Sequence, residues 1–412
     1  MKVYLVGGAV RDRLLGLPAR EKDYVVVGSA PEELIALGYR PVGKDFPVFI
    51  HPETGDEYAL ARIERKTGKG YTQFECHFAP DVTLEDDLKR RDLTINAMAV
   101  DTDGNIIDPY HGREDLENKI LRHVSPAFVE DPVRVLRIAR FAARYANLGF
   151  TIAEETQLLL KNIVRAGEIS ALVPERVWQE MQKALAESSP QEFIKVLRTS
   201  GALKILLPEL EQLFGVPASP TWHPEIDTGV HVLMALKIAA AISSDPILRF
   251  AVLMHDLGKG LTPMSEWPKH INHEINGVPL VNAIAKRYKI PREYQRLAVL
   301  VTKYHLLVHQ AFELRAKTLV KLFEETDAFR RPDTFELFLL ACEADSRGRL
   351  GFENKSFPER EFIWQAFLAC RDIVASDFIN SDMNGEMIKE KLKQLRIKKV
   401  TEFINDYKSK MN

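Results

Sequence analysis

The chain has 412 residues, 46% apolar and 28% charged, with a formal net charge of −2. That length suggests two to four domains, and the charge balance excludes a surface that attracts polyanions everywhere, so any nucleic-acid contact has to come from local basic patches. No run approaches the roughly 18 uninterrupted apolar residues of a membrane span; the start lacks a signal-peptide pattern; and Cys76, Cys342 and Cys370 are too few and too far apart for a disulfide framework or a cysteine zinc site. A soluble, cytoplasmic protein with reduced thiols is expected.

The apolar run Val3 to Val6 reads as a short strand that stops at Gly7-Gly8, where missing side chains let backbone N–H groups approach an anion such as a triphosphate. Arg11 adds a fixed cationic fork. After Gly16-Leu17-Pro18, Lys22 to Val27 reads as a second, buried strand, with Glu21 and Asp23 two apart and so on one face. Neighbouring carboxylates repel unless a cation neutralises them. This is the arrangement that holds one or two Mg²⁺ ions against phosphate oxygens for an in-line displacement. Glu57, ahead of the strand-like Tyr58-Ala59-Leu60-Ala61-Arg62, adds a third carboxylate if that strand lies alongside. Lys89-Arg90-Arg91 then supplies phosphate donors beside Thr94 and Asn96, whose side chains can bond a sugar hydroxyl or a loop backbone. Residues 1–127 are expected to form a compact α/β (α+β) head.

From about residue 128 the period becomes helical. Glu130-Asp131-Pro132-Val133-Arg134 has the chemistry of a helix start, with Asp131 as N-cap and Pro132 at the first helical position. At about 100° per residue, Arg134, Arg137, Arg140 and Arg144 share one face while Val135, Ile138, Ala139, Ala142 and Ala143 take the other. An arginine face without an acid on it favours an anionic ligand. Beyond Gly149 only helical patterns are expected, with Gly215 to Pro220 as a linker. A new domain begins near 225 and contains His231, His255-Asp256, His270, His273, His305 and Asp345. Neutral imidazoles with one or two carboxylates, gathered from several helices, suit a divalent transition metal that activates water. His270 and His309 are expected as bystanders, and Lys391 to Lys399 as a solvated helical face.

These motifs resemble those of the bacterial CCA-adding tRNA nucleotidyltransferases that carry an HD domain. The likeness runs over nearly the whole chain. It is carried by Gly7-Gly8-Ala9-Val10-Arg11-Asp12, Arg90-Arg91-Asp92 with Thr94-Ile95-Asn96-Ala97, Asp108-Pro109-Tyr110, Glu130-Asp131 with Arg134, and His255-Asp256. The resemblance implies a polymerase-beta-like head (1–127), a helical neck and body (128–224), an HD domain (225–350) and a C-terminal helical tail (351–412). It implies Mg²⁺ held at Glu21 and Asp23, and nucleotide contacts at Gly8, Arg11, Arg91, Arg137 and Arg140. It also implies an HD metal, with Ni²⁺ a candidate, at His255 and Asp256, where His231, His273, His305 and Asp345 are weaker candidates. The family pattern at the first metal pair is Asp-x-Asp, whereas this chain has Glu21-Lys22-Asp23, one methylene longer at the first ligand.

The residue chemistry also suggests how C and A are chosen without a template. Both bases present an amino donor beside a ring-nitrogen acceptor, and G and U present the reverse. Asp131 can accept from the amino group while Arg134 donates to the ring nitrogen. The expected reaction is addition of CMP, CMP and AMP from CTP and ATP to the tRNA 3′ end. The resemblance adds 2′,3′-cyclic phosphodiesterase, 2′-nucleotidase and phosphatase activity at the HD centre. A monomer or homodimer with no membrane partner is expected. The alternatives are a poly(A) polymerase, or an RNA-binding HD phosphohydrolase whose transferase head is weak.

Overall fold

The computed structural model describes residues 1–18, 22–42, 48–66, 74–220, 224–377 and 383–411, and the chain divides into two compact units, Met1–Leu206 and Leu207–Asn412. Glu21 therefore lies outside the described residues. The first unit begins with strands β1 (Lys2–Val6), β2 (Asp23–Val27), β3 (Arg40–Val42), β4 (Val48–Ile50), β5 (Glu57–Leu60), β6 (Ile63–Lys66), β7 (Phe74–His77), β8 (Ala99–Val100) and β9 (Ile106–Ile107), and helices α1 (Gly8–Leu14), α2 (Pro31–Ala36) and α3 (Leu84–Lys89). Seven strands form one sheet in the order β3-β4-β5-β2-β1-β8-β9.

β1 and β2 are antiparallel with Val6 opposite Asp23, and β2 and β5 are parallel with Asp23 opposite Glu57. The end of β1 and the starts of β2 and β5 thus fall at one edge. Val25 packs with Val6, Leu88 and Ala99, whereas Val26 packs with Leu34, Phe49 and Leu60. Successive residues of β2 bury opposite faces, which is why its sequence is a continuous apolar run. Gly7, at φ +68°, turns the chain from β1 into α1, and a Cβ there would stand 2.8 Å from Arg91 Nη1. The positive φ favours glycine, and a side chain there would also push the Arg91 guanidinium aside.

The unit continues with α4 (Gly112–Glu117), β10 (Ile120–Leu121), α5 (Val133–Tyr145), β11 (Thr151–Ile152), α6 (Glu154–Arg165), α7 (Pro174–Leu185), α8 (Pro190–Ser200) and α9 (Ala202–Leu206). Two expectations are corrected here. α5 starts one residue late: Pro132 takes the cap position, and Asp131 is extended, its Oδ1 accepting from Val133 N–H at 3.1 Å. The region past Gly149 is not purely helical, because β11 pairs with β10 in parallel. A two-residue ladder leaves no periodicity to read. The apolar back of α5 (Val135, Leu136, Ile138, Ala139) is buried, and the helix packs on α7 and α8.

The second unit comprises α10 (Pro208–Glu211), α11 (Thr228–Ile242), α12 (Pro246–Met254), α13 (His273–Arg287), α14 (Arg292–His309), α15 (Ala316–Glu325), α16 (Pro332–Arg347), α17 (Pro358–Arg371) and α18 (Gly385–Met411). α12 packs against α11, α14 and α16, and α13 against α14. The stretch expected as a linker is instead part of this core. Val216 and Ala218 are buried, and Gly215 N–H donates to Asp227 Oδ2 at 2.7 Å. Its prolines and glycine shape a packed turn. On α18 Lys391, Lys398 and Lys399 are exposed, the solvated face expected, while Arg396 turns inward, 3.5 Å over the Phe329 ring, and donates to Ile373 O.

Candidate active sites

The first unit holds a cleft of about 510 Å³ lined by Gly7, Gly8, Asp23, Asp92, Asn96, Asp131 and Phe141 and by Arg11, Arg62, Arg90, Arg91, Arg134, Arg137, Arg140, Arg144 and Arg176. Nine guanidiniums against three aspartates make it a site for a polyanion. Asp23 reaches it from the start of β2, Gly7 and Gly8 from the β1–α1 turn, and the arginine face of α5 from the other side. Glu57 stands beside Asp23 in the sheet but is not part of the lining.

Carboxylates behind the arginines orient them. Asp12, buried, accepts from Arg11 Nε at 2.9 Å, Arg144 Nη2 at 3.2 Å and Tyr145 Oη at 3.3 Å. Arg11 Nη1 also bonds Asn96 Oδ1, whose amide donates to Asp92 Oδ1 at 2.9 Å, and Asp92 Oδ2 accepts from Arg137 Nε at 2.7 Å. Asp87 accepts from Arg90 Nη2 at 2.6 Å and Arg91 Nη2 at 3.2 Å, and Glu180 from Arg140 Nε at 2.7 Å. Burial alone would raise Asp87 and Asp92. The arginines outweigh it and hold both below the ordinary carboxylate range, chiefly Arg90 and Arg91 for Asp87 and Arg137 for Asp92.

Asp131 and Arg134 both face the cleft and both have partners. Arg176 donates to Asp131 Oδ1 and Oδ2 at 3.1 and 2.8 Å, while Arg134 donates to Ala127 O at 3.0 Å and Arg90 O at 2.6 Å. Sequence reasoning missed Arg62, Asp87, Arg176 and Glu180. One signal was available for the last two: Arg176 and Glu180 are four apart, on the face of α7 that meets the arginine helix.

The second unit brings His231 (α11), His255 and Asp256 (end of α12), His273 (start of α13), His305 (α14) and Asp345 (α16) into one buried cluster. Gly258 sets the spacing, since a Cβ there would lie 1.9 Å from His273 O, so the loop after Asp256 can press on the start of α13 only as glycine. Two sets, His231 with His255 and Asp345, and Asp256 with His273 and His305, each place their ligand atoms within 4.8 Å of one another. His255 Nε2 and Asp256 Oδ1 are buried and make no hydrogen bond. Imidazole and carboxylate acceptors left without donors fit a divalent cation. Burial lowers the basicity of His255, but Asp256 and Asp345 outweigh it and raise the imidazole to about 10: the two carboxylates call for a positive charge at this point, supplied by the Nε2 proton or by a cation that replaces it. Burial takes His305 the other way, to about 3. His309 is no bystander to the cluster: its Nε2 lies 2.7 Å from Asp345 Oδ2. His270 instead bonds Pro217 O at 2.8 Å, pinning the packed turn. A cavity of about 1030 Å³ opens over Asp256, His273, His305 and Asp345, with Lys259, Lys269, Arg347, Arg349 and Lys355 also in its wall.

The fold is that of a nucleotidyltransferase head with a helical remainder that carries an HD domain, two classes of domain that typically use divalent metals. The Poly A polymerase head domain matches residues 3–122, the probable RNA and SrmB-binding site of polymerase A residues 149–214, and the HD domain residues 228–329. The multifunctional CCA protein of Thioalkalivibrio sulfidiphilus is 58% identical over 397 residues, covering 96% of this chain and 97% of its own. That of Hahella chejuensis is 56% identical over 406 residues, covering 98% and 96%. Among solved structures, a CCA-adding enzyme in apo form II superposes with TM-score 0.65 at 22% identity over 100% of this chain and 92% of that one. The Thermotoga maritima CCA-adding enzyme complexed with tRNA superposes with TM-score 0.62 at 21% identity, over 100% and 92%. This chain belongs to the multifunctional CCA protein family. No helix among the described residues is long and apolar enough to cross a membrane.

Proposed function

We propose that this protein builds and repairs the 3′-terminal CCA of tRNA from CTP and ATP in the cytoplasm, and that its HD centre hydrolyses phosphoesters. The observation that carries the first activity is the cleft that gathers Gly7, Gly8, Asp23 and nine arginines. Gly8, Arg11 and Arg91 bind the triphosphate, and Arg137 and Arg140 make further phosphate or sugar contacts. Asp23 with Glu21 holds Mg²⁺, with Glu57 as a neighbouring carboxylate. Bound there, Mg²⁺ neutralises charge between carboxylates and phosphates. The tRNA 3′-oxygen forms a bond to the α-phosphorus as the α–β bridging bond breaks, and pyrophosphate leaves.

Asp131 and Arg134 choose the base. A carboxylate has about four acceptor positions, and three at Asp131 are taken by Arg176 and Val133 N–H. One is left for the amino group that C and A share. The edges of G and U leave this pair unmatched, at the cost of buried unpaired polar groups. At the HD centre, His255 and Asp256 with the surrounding ligands hold a divalent transition metal, Ni²⁺ among the candidates, that supplies activated water. The basic residues in the cavity wall suit 2′,3′-cyclic phosphodiester, 2′-nucleotide and phosphomonoester substrates.

The deciding assay offers tRNA lacking its 3′ end, each labelled nucleotide singly, then CTP with ATP. Three additions followed by a stop are expected. A long A tail would mean a poly(A) polymerase, and no incorporation would leave only the HD chemistry.

A further inference from the structure

We infer that the HD cavity carries a second anion subsite, at Arg349 and Lys355, which takes a phosphate on the 5′ oxygen of the nucleotide whose 2′,3′ phosphoester is hydrolysed. The wall holds more cations than one scissile phosphate uses. Lys259 is committed inward, its ammonium 2.6 Å from Asp256 Oδ2, and Arg347 donates to Glu343 Oε1 at 2.8 Å and to Glu353 O at 2.9 and 3.0 Å. Arg349 and Lys355 are different. Among the described residues neither has a carboxylate partner, and Arg349 Nε is buried without an acceptor. Glu274, Glu313 and Glu359 share the wall without pairing with them. A guanidinium half withdrawn from water and left unpaired costs free energy that a bound anion recovers.

The fold fixes where these two cations stand. α16 ends at Arg347, two residues past the cluster carboxylate Asp345, and Gly348 N–H still donates to Ala344 O at 2.8 Å. Arg349 follows Asp345 by four residues, so its backbone lies about one helical turn, roughly 5 Å, further along the axis. A Cβ on Gly348 would stand 2.4 Å from Ala235 Cα, so the chain there is pressed onto α11. Leu350 N–H donates to Glu225 Oε2 and Gly351 N–H to Glu353 Oε1, each at 3.2 Å. On this pinned turn Phe352 gathers both cations: Lys355 Nζ lies 3.4 Å and Arg349 Cζ 5.8 Å from its ring centroid. One ribose separates the 5′ phosphorus of a nucleotide from its 2′,3′ phosphoester, a spacer of the same order as that helical turn. At about 1030 Å³ the cavity stands at the top of the roughly 300–1,000 Å³ that encloses a drug-sized ligand, which leaves room for the sugar and base as well as two phosphates.

The inference rests on the phosphoesterase reading of this centre and is tested on the full chain with three substrates: adenosine 2′,3′-cyclic phosphate, the same nucleotide carrying a 5′-phosphate, and a trinucleotide that ends in a 2′,3′-cyclic phosphate. A 5′-phosphate of either kind is expected to lower KM by roughly tenfold or more relative to the first substrate, the effect of one charge-assisted contact. A gain for the second substrate alone assigns the subsite to free mononucleotides; a gain for the third as well extends it to the phosphodiester of an RNA end. Arg349→Gln and Lys355→Gln are each expected to bring the ratio of KM values toward one, and Arg349→Lys, which keeps the charge, to retain part of it. Equal KM values for all three substrates in the parent chain overturn the subsite while the phosphoesterase reading stands. A preference that both glutamine variants leave intact also overturns it. Hydrolysis of none of the three overturns both.

Discussion

The two sites are built by one device used with opposite sign. In the head cleft, cations face the ligand and buried carboxylates stand behind them: Asp12 behind Arg11 and Arg144, Asp87 behind Arg90 and Arg91, Glu180 behind Arg140. In the HD cluster, acceptors face the ligand and oxygens stand behind them, holding each Nδ1. The difference lies in how complete each site is by itself. The arginines have their counter-ions inside the fold, so the cleft is held in shape before a nucleotide arrives. His255 Nε2 and Asp256 Oδ1 are buried without a hydrogen-bond donor, so that cluster is completed by a cation rather than by its own side chains if the proposed function holds. An anion site can be preorganised by its own charges, whereas a site made of acceptors is preorganised only in position.

The largest effects come from crossing the two sites. Asp23→Ala is expected to lower kcat for CCA addition by roughly three orders of magnitude, about the several kcal/mol that metal charge stabilisation supplies, with cyclic-phosphate hydrolysis unchanged. His255→Ala is expected to do the reverse. If either substitution lowers both activities alike, the sites are not independent and the comparison fails.

Next comes stability. Arg140 and Glu180 have side chains only 10% and 7% exposed, so Glu180→Gln leaves the buried guanidinium with the longer 3.9 Å pair to Glu187 Oε1 and is expected to cost about 2–3 kcal/mol in denaturant unfolding. Arg140→Met combined with Glu180→Leu is expected to recover most of that loss yet leave nucleotide affinity low. Chelation sharpens the contrast from the other side. It is expected to lower the melting temperature of the parent chain, while His309→Asn, which removes the support 2.7 Å from Asp345, weakens metal affinity by roughly 10- to 100-fold. Equal melting curves with and without metal would contradict an ion-dependent HD cluster.

How much of this was legible in the sequence follows from the range of the interactions. The arginine face of α5 could be read because four side chains on one helix obey a local period. His255-Asp256 could be read because the pair is adjacent. Asp23 opposite Glu57 was posed as a condition, and the parallel pairing of β2 with β5 meets it. Which arginine a distant counter-ion meets could not be read. Glu180 meets Arg140 across 40 residues and Asp12 meets Arg144 across 132, distances over which no periodicity operates. His309 looked dispensable because its role depends on Asp345, 36 residues on and in another helix. The turn at 215–220 was misread because its composition is that of a linker, whereas its burial comes from His270 and Asp227.

The smallest effect does not vary with pH near neutrality and tests the internal counter-ions directly. Asp92 accepts from Arg137, from Asn96 and from Leu93 N–H at 2.9 Å, and its carboxyl is held below the ordinary range because Arg137 outweighs burial. A folded-state pKa below the unfolded one gives stability that is fully present above the unfolded value of about 3.9 and is lost as pH falls through the folded value. Asp92→Asn is therefore expected to cost about 1–3 kcal/mol through the weakened partners, by an amount that stays constant from pH 8 to 5. Below about pH 4 the gap between parent and variant should narrow, since protonation makes the parent resemble the amide. Urea unfolding of both chains across that range checks it. A gap that stays flat to pH 2 would mean that Asp92 is not the charge holding Arg137, and that the cleft's order comes from packing rather than from its own carboxylates.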